Sequence, residues 1–379
     1  MPAEGQRLAV FLADLGAGGA ERMTVAIANG MAARGMTVDL VLASASGPYL
    51  AEVSPAVRVV DLGVGSVSRA VLPLARYLRR ERPDVMLTTL SHTSFVAIVA
   101  RAVSGTGVPT VVREANTPQA VYPAWADART RLSHRLAPLT YRAADGVIAV
   151  SDGVRDALAA VLKVPPAKVA TLYNPVVAPD LEVKAAEDPG HPWLAPGCPP
   201  VVLGVGSLTP RKDFPTLLRA FARLERRDAR LLLLGEGPER PALAALAGEL
   251  GISDRLDMPG FVPNPFAYMA RAAVFVLSST LEGLPGALVQ ALACGCPSVS
   301  TDCPSGPREV LEGGALGPLV PVGDDAAMAE AIAAVLASPP PREALKRAAA
   351  RYDAGTVLDA THAYLTDVAT RRRRPRSGP

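Results

Sequence analysis

Residues Ser278–Leu311 read SSTLEGLPGALVQALACGCPSVSTDCPSGPREVL, and the fold turns on how this stretch is parsed. It overlaps VFVLSS (Val274–Ser279), a run without polar alternation, as expected of a strand covered on both faces by helices. Pro285-Gly286 stands where helical spacing begins, and PSVST (Pro297–Thr301) reads as the next strand. Strand, polar turn, helix and strand make one unit of a parallel α/β sheet. The turn also carries chemistry. Glu282 precedes Gly283, and Gln290 follows Glu282 by eight residues, two helical turns along. Backbone N–H groups at Gly286, Ala287 and Leu288 open the helix, where a phosphate is favoured. A carboxylate in the loop accepts from sugar hydroxyls, and an amide on the helix both donates and accepts, so the two can hold two ends of one ligand.

Outward from this stretch the same alternation repeats. LAVFL (Leu8–Leu12), VDLVLA (Val38–Ala43), DVMLTTL (Asp84–Leu90), PTVV (Pro109–Val112) and GVIAVS (Gly146–Ser151) read as strands of a first half. VVLGV (Val201–Val205) and ARLLLLG (Ala229–Gly235) join the two strands already named in a second half. Between strands, segments such as Gly19–Arg34 place Met23, Ile27 and Met31 at helical spacing, and Gly35 closes that helix. Residues Val176–Pro200 hold six prolines and no periodicity, the pattern of a linker. The expected organisation is a first domain over 1–176, a linker over 177–200 and a second domain over 201–352. A helix over 353–370 then packs back on the first domain, and a basic tail occupies 371–379. The fold class is α/β, with two doubly wound, Rossmann-like domains facing each other across a cleft and ligands at the carboxyl ends of the strands.

Three further turns lie at strand ends. DLGAGGAER (Asp14–Arg22) puts Gly18 and Gly19 at a helix start, either as a tight turn or as the approach of a phosphate or sugar. A dinucleotide fingerprint does not fit: Glu21 stands where its third glycine belongs, and Asp39 opens the second strand instead of closing it. VGSLTPRKDFPTLLRAF (Val205–Phe221) sets Arg211 and Lys212 at a strand's carboxyl end, where two cations suit a pyrophosphate or form a solvated pair. GEGP (Gly235–Pro238) is a turn with little meaning alone.

Composition narrows the classes. The 379 residues are 49% hydrophobic, which excludes a mainly disordered chain. Aromatics are only 4%, too few for a base-stacking platform. Net charge is +3, yet five arginines crowd the last nine residues, so the body is slightly acidic and no nucleic-acid partner is expected. Cys198, Cys294, Cys296 and Cys303 lack zinc spacing and a nearby histidine, so they read as thiols in a reducing compartment, and no metal is expected. The N-terminal apolar run is too short for a signal peptide, and no stretch reaches the length of a membrane span. The expected location is cytoplasmic. The arginine tail is either a solvated terminus or a peripheral contact to anionic lipid at the inner membrane face.

Taken together, GGAER (Gly18–Arg22), VGSLTPRKDFPTLLRAF, GEGPER (Gly235–Arg240), PGFVPNP (Pro259–Pro265) and the opening stretch resemble the retaining glycosyltransferases of the GT-B fold, in the large family-four group that uses nucleotide-sugar donors. The resemblance spans nearly the whole chain. It implies a Glu-x7-Glu motif in which Glu282 contacts the donor sugar and the second position, here Gln290, holds the ribose hydroxyls. It implies that Lys212 meets the diphosphate. Ser207 stands at the family's usual arginine, and Arg211 is expected to supply that charge. Many relatives carry a histidine after the strand corresponding to Pro109–Val112. This chain has Ala115 and Asn116 there, and His92 in TLSHTSF is either its substitute or an ordinary loop histidine. The implied reaction moves a sugar, from a UDP-linked donor, to a hydroxyl of a glycan or lipid-linked acceptor with retention, without metal or cofactor. Two alternatives stand beside it: a nucleotide-sugar epimerase, and a catalytically degraded nucleotide-sugar binding protein.

Overall fold

A computed structural model describes residues 5–16, 18–118 and 128–371. Two compact units result, one formed by residues up to Pro175 together with those from Gly355 onward, the other by Val176–Ala354.

The first unit is a seven-stranded parallel sheet. Its strands are β1 (Arg7–Leu12), β2 (Thr37–Leu42), β3 (Val57–Asp61), β4 (Val85–Thr89), β5 (Thr110–Glu114), β6 (Gly146–Ala149) and β7 (Val169–Thr171), in the order β3-β2-β1-β4-β5-β6-β7. Helices α1 (Gly19–Ala32), α2 (Val71–Glu81), α3 (Ser91–Ser104), α4 (Ala128–Ala143) and α5 (Asp152–Leu162) connect them. The second unit repeats the plan after α6 (Leu181–Ala186). Strands β8 (Val201–Val205), β9 (Arg230–Leu234), β10 (Leu256–Gly260), β11 (Val274–Leu277), β12 (Ser298–Thr301) and β13 (Leu319–Val320) run in the order β10-β9-β8-β11-β12-β13. Its helices are α7 (Phe214–Arg223), α8 (Arg240–Glu249), α9 (Pro265–Arg271), α10 (Gly286–Ala293), α11 (Pro307–Val310), α12 (Asp325–Ala337) and α13 (Arg342–Ala349), and α14 (Ala354–Arg371) closes the described chain. Both sheets reverse strand order beside their first strand, β1 against β4 and β8 against β11, the crevice where such sheets receive ligands.

Apolar side chains on both faces of each strand explain the unbroken hydrophobic runs. Leu8, Val10 and Leu12 pack with Ile27 and Met31 of α1, while Ala9 and Phe11 turn to the opposite face, with Leu74 and Leu78 of α2. In the second unit Val202 packs with Leu217 and Phe221 of α7 and Met328 and Ile332 of α12. The four strands that periodicity did not mark, β3, β7, β10 and β13, are the four sheet edges. β3 and β10 keep exposed residues, β7 is only half-buried, β13 has two residues, and Pro259 interrupts β10.

Residues 177–200 are ordered on the second unit rather than forming a bare linker. Asn264 Nδ2 donates to Lys184 O (2.8 Å), Arg271 Nη1 to Ala185 O (3.1 Å), and His191 Nε2 lies 3.0 Å from Asp257 Oδ2. Side chains from α9 and its cap serve the carbonyls at the end of α6, a kind of order that apolar periodicity cannot reveal. Helix α14 lies on the first unit: Leu365 is fully buried in the core of β1 and α1, and Leu358 lies over Gly30, where any Cβ would meet it at 2.6 Å. The arginine tail beyond Arg371 lies outside the described residues. Among the described residues no helix is long and apolar enough to cross a membrane.

Candidate functional site

In the second unit, the loops after β8 and β11 meet at the crevice. Chain after β8 passes through Ser207, which is exposed, into a 3-10 turn over Pro210–Lys212, and Asp213 at φ 47° redirects it into α7. Two bonds fasten this turn to the loop after β11: Ser278 Oγ donates to Lys212 O (2.7 Å) and Thr280 N to Arg211 O (2.9 Å). The GEGP turn braces it from the other side. Leu208 N donates to Glu236 O (2.9 Å), and a Cβ on Gly237 would fall 2.3 Å from Leu208 O, so glycine is needed for the close approach.

This scaffold brings the side chains together. Lys212 Nζ lies 2.6 Å from Glu282 Oε1, Arg211 Nη1 lies 3.9 Å from Glu282 Oε2, and Ser279 Oγ donates to Glu282 Oε1 at 2.7 Å. Glu282 is only 5% exposed. Burial by itself would raise its carboxyl, but the charges of Lys212 and Arg211, with hydrogen bonds from Lys212 and Ser279, outweigh it and hold the group below the usual carboxylate range. The result is a buried carboxylate held by two cations at the topological switch point, with Arg211 still half-exposed.

The rest of the motif is arranged less uniformly. Gly283 is buried, and the loop after β12 presses on it: Gly306, at φ 82°, would place a Cβ 2.8 Å from Gly283 O. Gly286 and Ala287 open α10, but the Leu288 amide already donates to Pro285 O (3.0 Å). The expectation of three open amides is therefore corrected, since a 3-10-type bond consumes the third. Gln290 Nε2 donates to Val176 O at 3.4 Å. Cys294, Cys296 and Cys303 are buried, which pushes each thiol up to about 12, so they are inert at neutral pH. No group of three or more metal-ligating side chains occurs among the described residues.

The first unit holds the remaining candidates. Gly18 caps α1, and the Glu21 side chain folds back so closely that a Cβ on Gly18 would meet its Oε2 at 2.0 Å. Burial raises the Glu21 carboxyl, and neighbouring Asp14 adds to the rise. Gly18 therefore makes room for the Glu21 side chain, and two acidic groups stand where Gly18 and Gly19 were expected to admit a phosphate. His92 is the exposed second residue of α3, just after Leu90, which is held at φ 74°, ψ 134°. Asn116 also follows a strand end, its amide held by Glu114 Oε1 at 3.0 Å.

Sequence reasoning missed the two charged residues that end β5. Arg113 is 1% exposed and donates through Nη2 to Asn174 Oδ1. Burial pushes its guanidinium down to about 10, with Glu114 opposing. Glu114, also buried, accepts from Tyr141 Oη and from Ser91 Oγ (3.4 Å), and its carboxyl is raised by burial. An Arg-Glu pair closing an otherwise apolar strand was the available signal.

Two parallel sheets of the same winding, with a cation-held carboxylate at the second switch point, define the GT-B class of nucleotide-sugar transferases. Solved structures agree on the fold. Sucrose-phosphate synthase of Thermosynechococcus elongatus superimposes with a TM-score of 0.78, at 22% identity over 97% of this chain and 99% of that one. The HepE protein of Anabaena, crystallised with UDP and glucose, gives 0.76 at 19% identity over 96% and 100%. In sequence, the model for Glycosyltransferase Family 4 matches residues 17–178 and that for Glycosyl transferases group 1 matches residues 191–352. The chain belongs to this family of glycosyltransferases, the two matches between them covering most of its length. A curated relative from Campylobacter jejuni, N-acetylgalactosamine-N,N'-diacetylbacillosaminyl-diphospho-undecaprenol 4-alpha-N-acetylgalactosaminyltransferase, is 29% identical over 91% of this chain and 94% of its own. The lipopolysaccharide core biosynthesis glycosyltransferase LpsE of Rhizobium meliloti is 29% identical over 84% and 86%.

Proposed function

We propose that this glycosyltransferase takes a sugar from a UDP-linked donor and adds it, with retention, to a hydroxyl of a lipid-linked glycan acceptor. The observation that carries the reading is the Glu282 carboxylate held by Lys212 and Arg211 on neighbouring loops of one switch point. HepE's complex with UDP supports the nucleotide, and the two curated relatives' names support a lipid-linked or lipopolysaccharide acceptor.

In this reading the donor lies on the second unit. Lys212 and Arg211 stabilise the departing diphosphate, Arg211 taking the part that Ser207 cannot. The Gly286 and Ala287 amides, beside Gly283, approach a phosphate oxygen, Glu282 orients the sugar hydroxyls, and Gln290 holds the ribose. The anomeric carbon–oxygen bond to phosphate breaks, the acceptor oxygen bonds to the same face, and its proton passes to the departing phosphate oxygen. His92, on the first unit, is assigned to the acceptor hydroxyl. The acidic turn at Gly18 and Gly19 is left without a phosphate role. A lipid-linked acceptor places the enzyme at the cytoplasmic membrane face, with the arginine tail as contact to anionic lipid.

Thermal unfolding with UDP, GDP and ADP, repeated on Lys212→Ala, tests the donor site. A nucleotide at 100 times its Kd adds about 2.7 kcal/mol, a shift of several degrees. A shift with UDP that the variant loses is expected, and no shift with any nucleotide overturns the reading. Sugar transfer that requires added acceptor separates it from an epimerase, which converts donor alone.

A further inference from the structure

The residue that departs from the family's glutamate makes a contact a glutamate cannot make. Gln290 Nε2 donates to the carbonyl of Val176, and four residues earlier on the same face of α10 the open Cα of Gly286 faces the Val176 side chain, 3.4 Å from where a Cβ would sit. Val176 is the first residue of the second unit, and Ala354 is the last. These two ends of the unit are fastened together: Val177 N donates to Tyr352 O (3.3 Å), Ala354 N donates to Val177 O (2.9 Å), and Val177 pairs with Asp353 as a parallel bridge. Val176 is buried between α10 and this pair. A carboxylate at position 290 would set two acceptors face to face.

We propose that Gln290 is a positioning residue that couples nucleotide binding to the paired segments 176–177 and 352–354, through which the chain enters and leaves the second unit. The proposal rests on the donor reading for its nucleotide, and on the hydrogen bond to Val176 for its mechanism. Among the described residues no group donates to Gln290 Oε1, which leaves that oxygen for a ribose hydroxyl. A hydroxyl donating to Oε1 polarises the amide and strengthens its donation through Nε2. By linkage, holding Val176 in turn favours the nucleotide. An amide serves both ends, and a carboxylate serves only the ribose.

Hydrogen–deuterium exchange on the full-length protein tests this, with and without UDP, in the wild type and in Gln290→Glu. Without nucleotide, Gln290→Glu should speed exchange of the Val177 and Ala354 amides about threefold or more. With UDP, the wild type should slow at both amides by a similar factor. Gln290→Glu, which keeps an acceptor for the ribose, should bind UDP by calorimetry and show no slowing. Unchanged basal exchange in the variant overturns the proposal, as does equal slowing by UDP in both proteins. If the wild type binds no UDP, the donor reading falls and the coupling to it falls too, while the basal exchange still shows whether Gln290 ties Val176.

Discussion

Glu282 is a buried acid whose charge is set by its neighbours. Remove Lys212 and burial dominates, because Arg211 stands at 3.9 Å and is half in solvent. In the wild type the folded carboxyl sits below the unfolded value of about 4.3. Its contribution is therefore present above that pH and lost as pH falls through the folded value. In Lys212→Met the sign reverses. The raised carboxyl stabilises the fold at low pH and ceases to do so as pH rises through the new value. Thermal unfolding from pH 4 to 8 should show the variant losing stability across a range where the wild type does not, and a deficit of about 3 kcal/mol at pH 7. Parallel profiles would refute the assignment. Asp39, the acid that opens the second strand and fits no dinucleotide fingerprint, is a structural case. It lies buried at the start of β2 and accepts from Arg58 Nε (2.8 Å), Arg58 Nη2 (2.7 Å) and Tyr77 Oη (2.6 Å). Tyr77→Phe should cost about 2 kcal/mol in urea unfolding and leave UDP affinity untouched, since the network lies at the amino end of the sheet.

Among elements, α14 tests how much of the first unit's core is supplied by the far end of the chain. Leu365 is fully buried with Leu8, Val10 and Met31. Leu365→Ala should cost about 3 kcal/mol, read as a lower urea midpoint with unchanged slope. A cost below about 1 kcal/mol would mean that α14 adds little to the core. The sequence showed central strands and hid edge strands for one reason: continuous hydrophobicity reports burial on two faces, and β3, β7, β10 and β13 have less of it. Lys212 and Glu282 could each be singled out because each follows the carboxyl end of a strand; that they pair with one another came only from the fold, which sets those two strands side by side at the switch point. The Leu288 amide was not legible, because a tightened first helical turn leaves no mark in residue type. Nor was the Arg113–Glu114 pair recognised, since its meaning depends on Asn174 and Tyr141, distant in sequence and supplied only by the fold.

The whole chain is built asymmetrically, and this has a measurable consequence. The second unit is one continuous segment, Val176–Ala354, whereas the first needs both its main segment and α14. Every side chain in the Lys212–Glu282 cluster, and Gln290 with its partner Val176, belongs to the continuous segment. At 179 residues it is long enough for a core of its own, and that core, from Val202 to Val335, uses no residue outside the segment. Expressed alone, 176–354 should unfold cooperatively and gain several degrees from saturating UDP. A fragment ending at Pro175 should expose the surface around Met31 and Gly30 that α14 covers, and aggregate unless residues 355–371 are supplied. A second unit that folds but ignores UDP, while the full chain binds it, would show that the first unit contributes to nucleotide affinity directly.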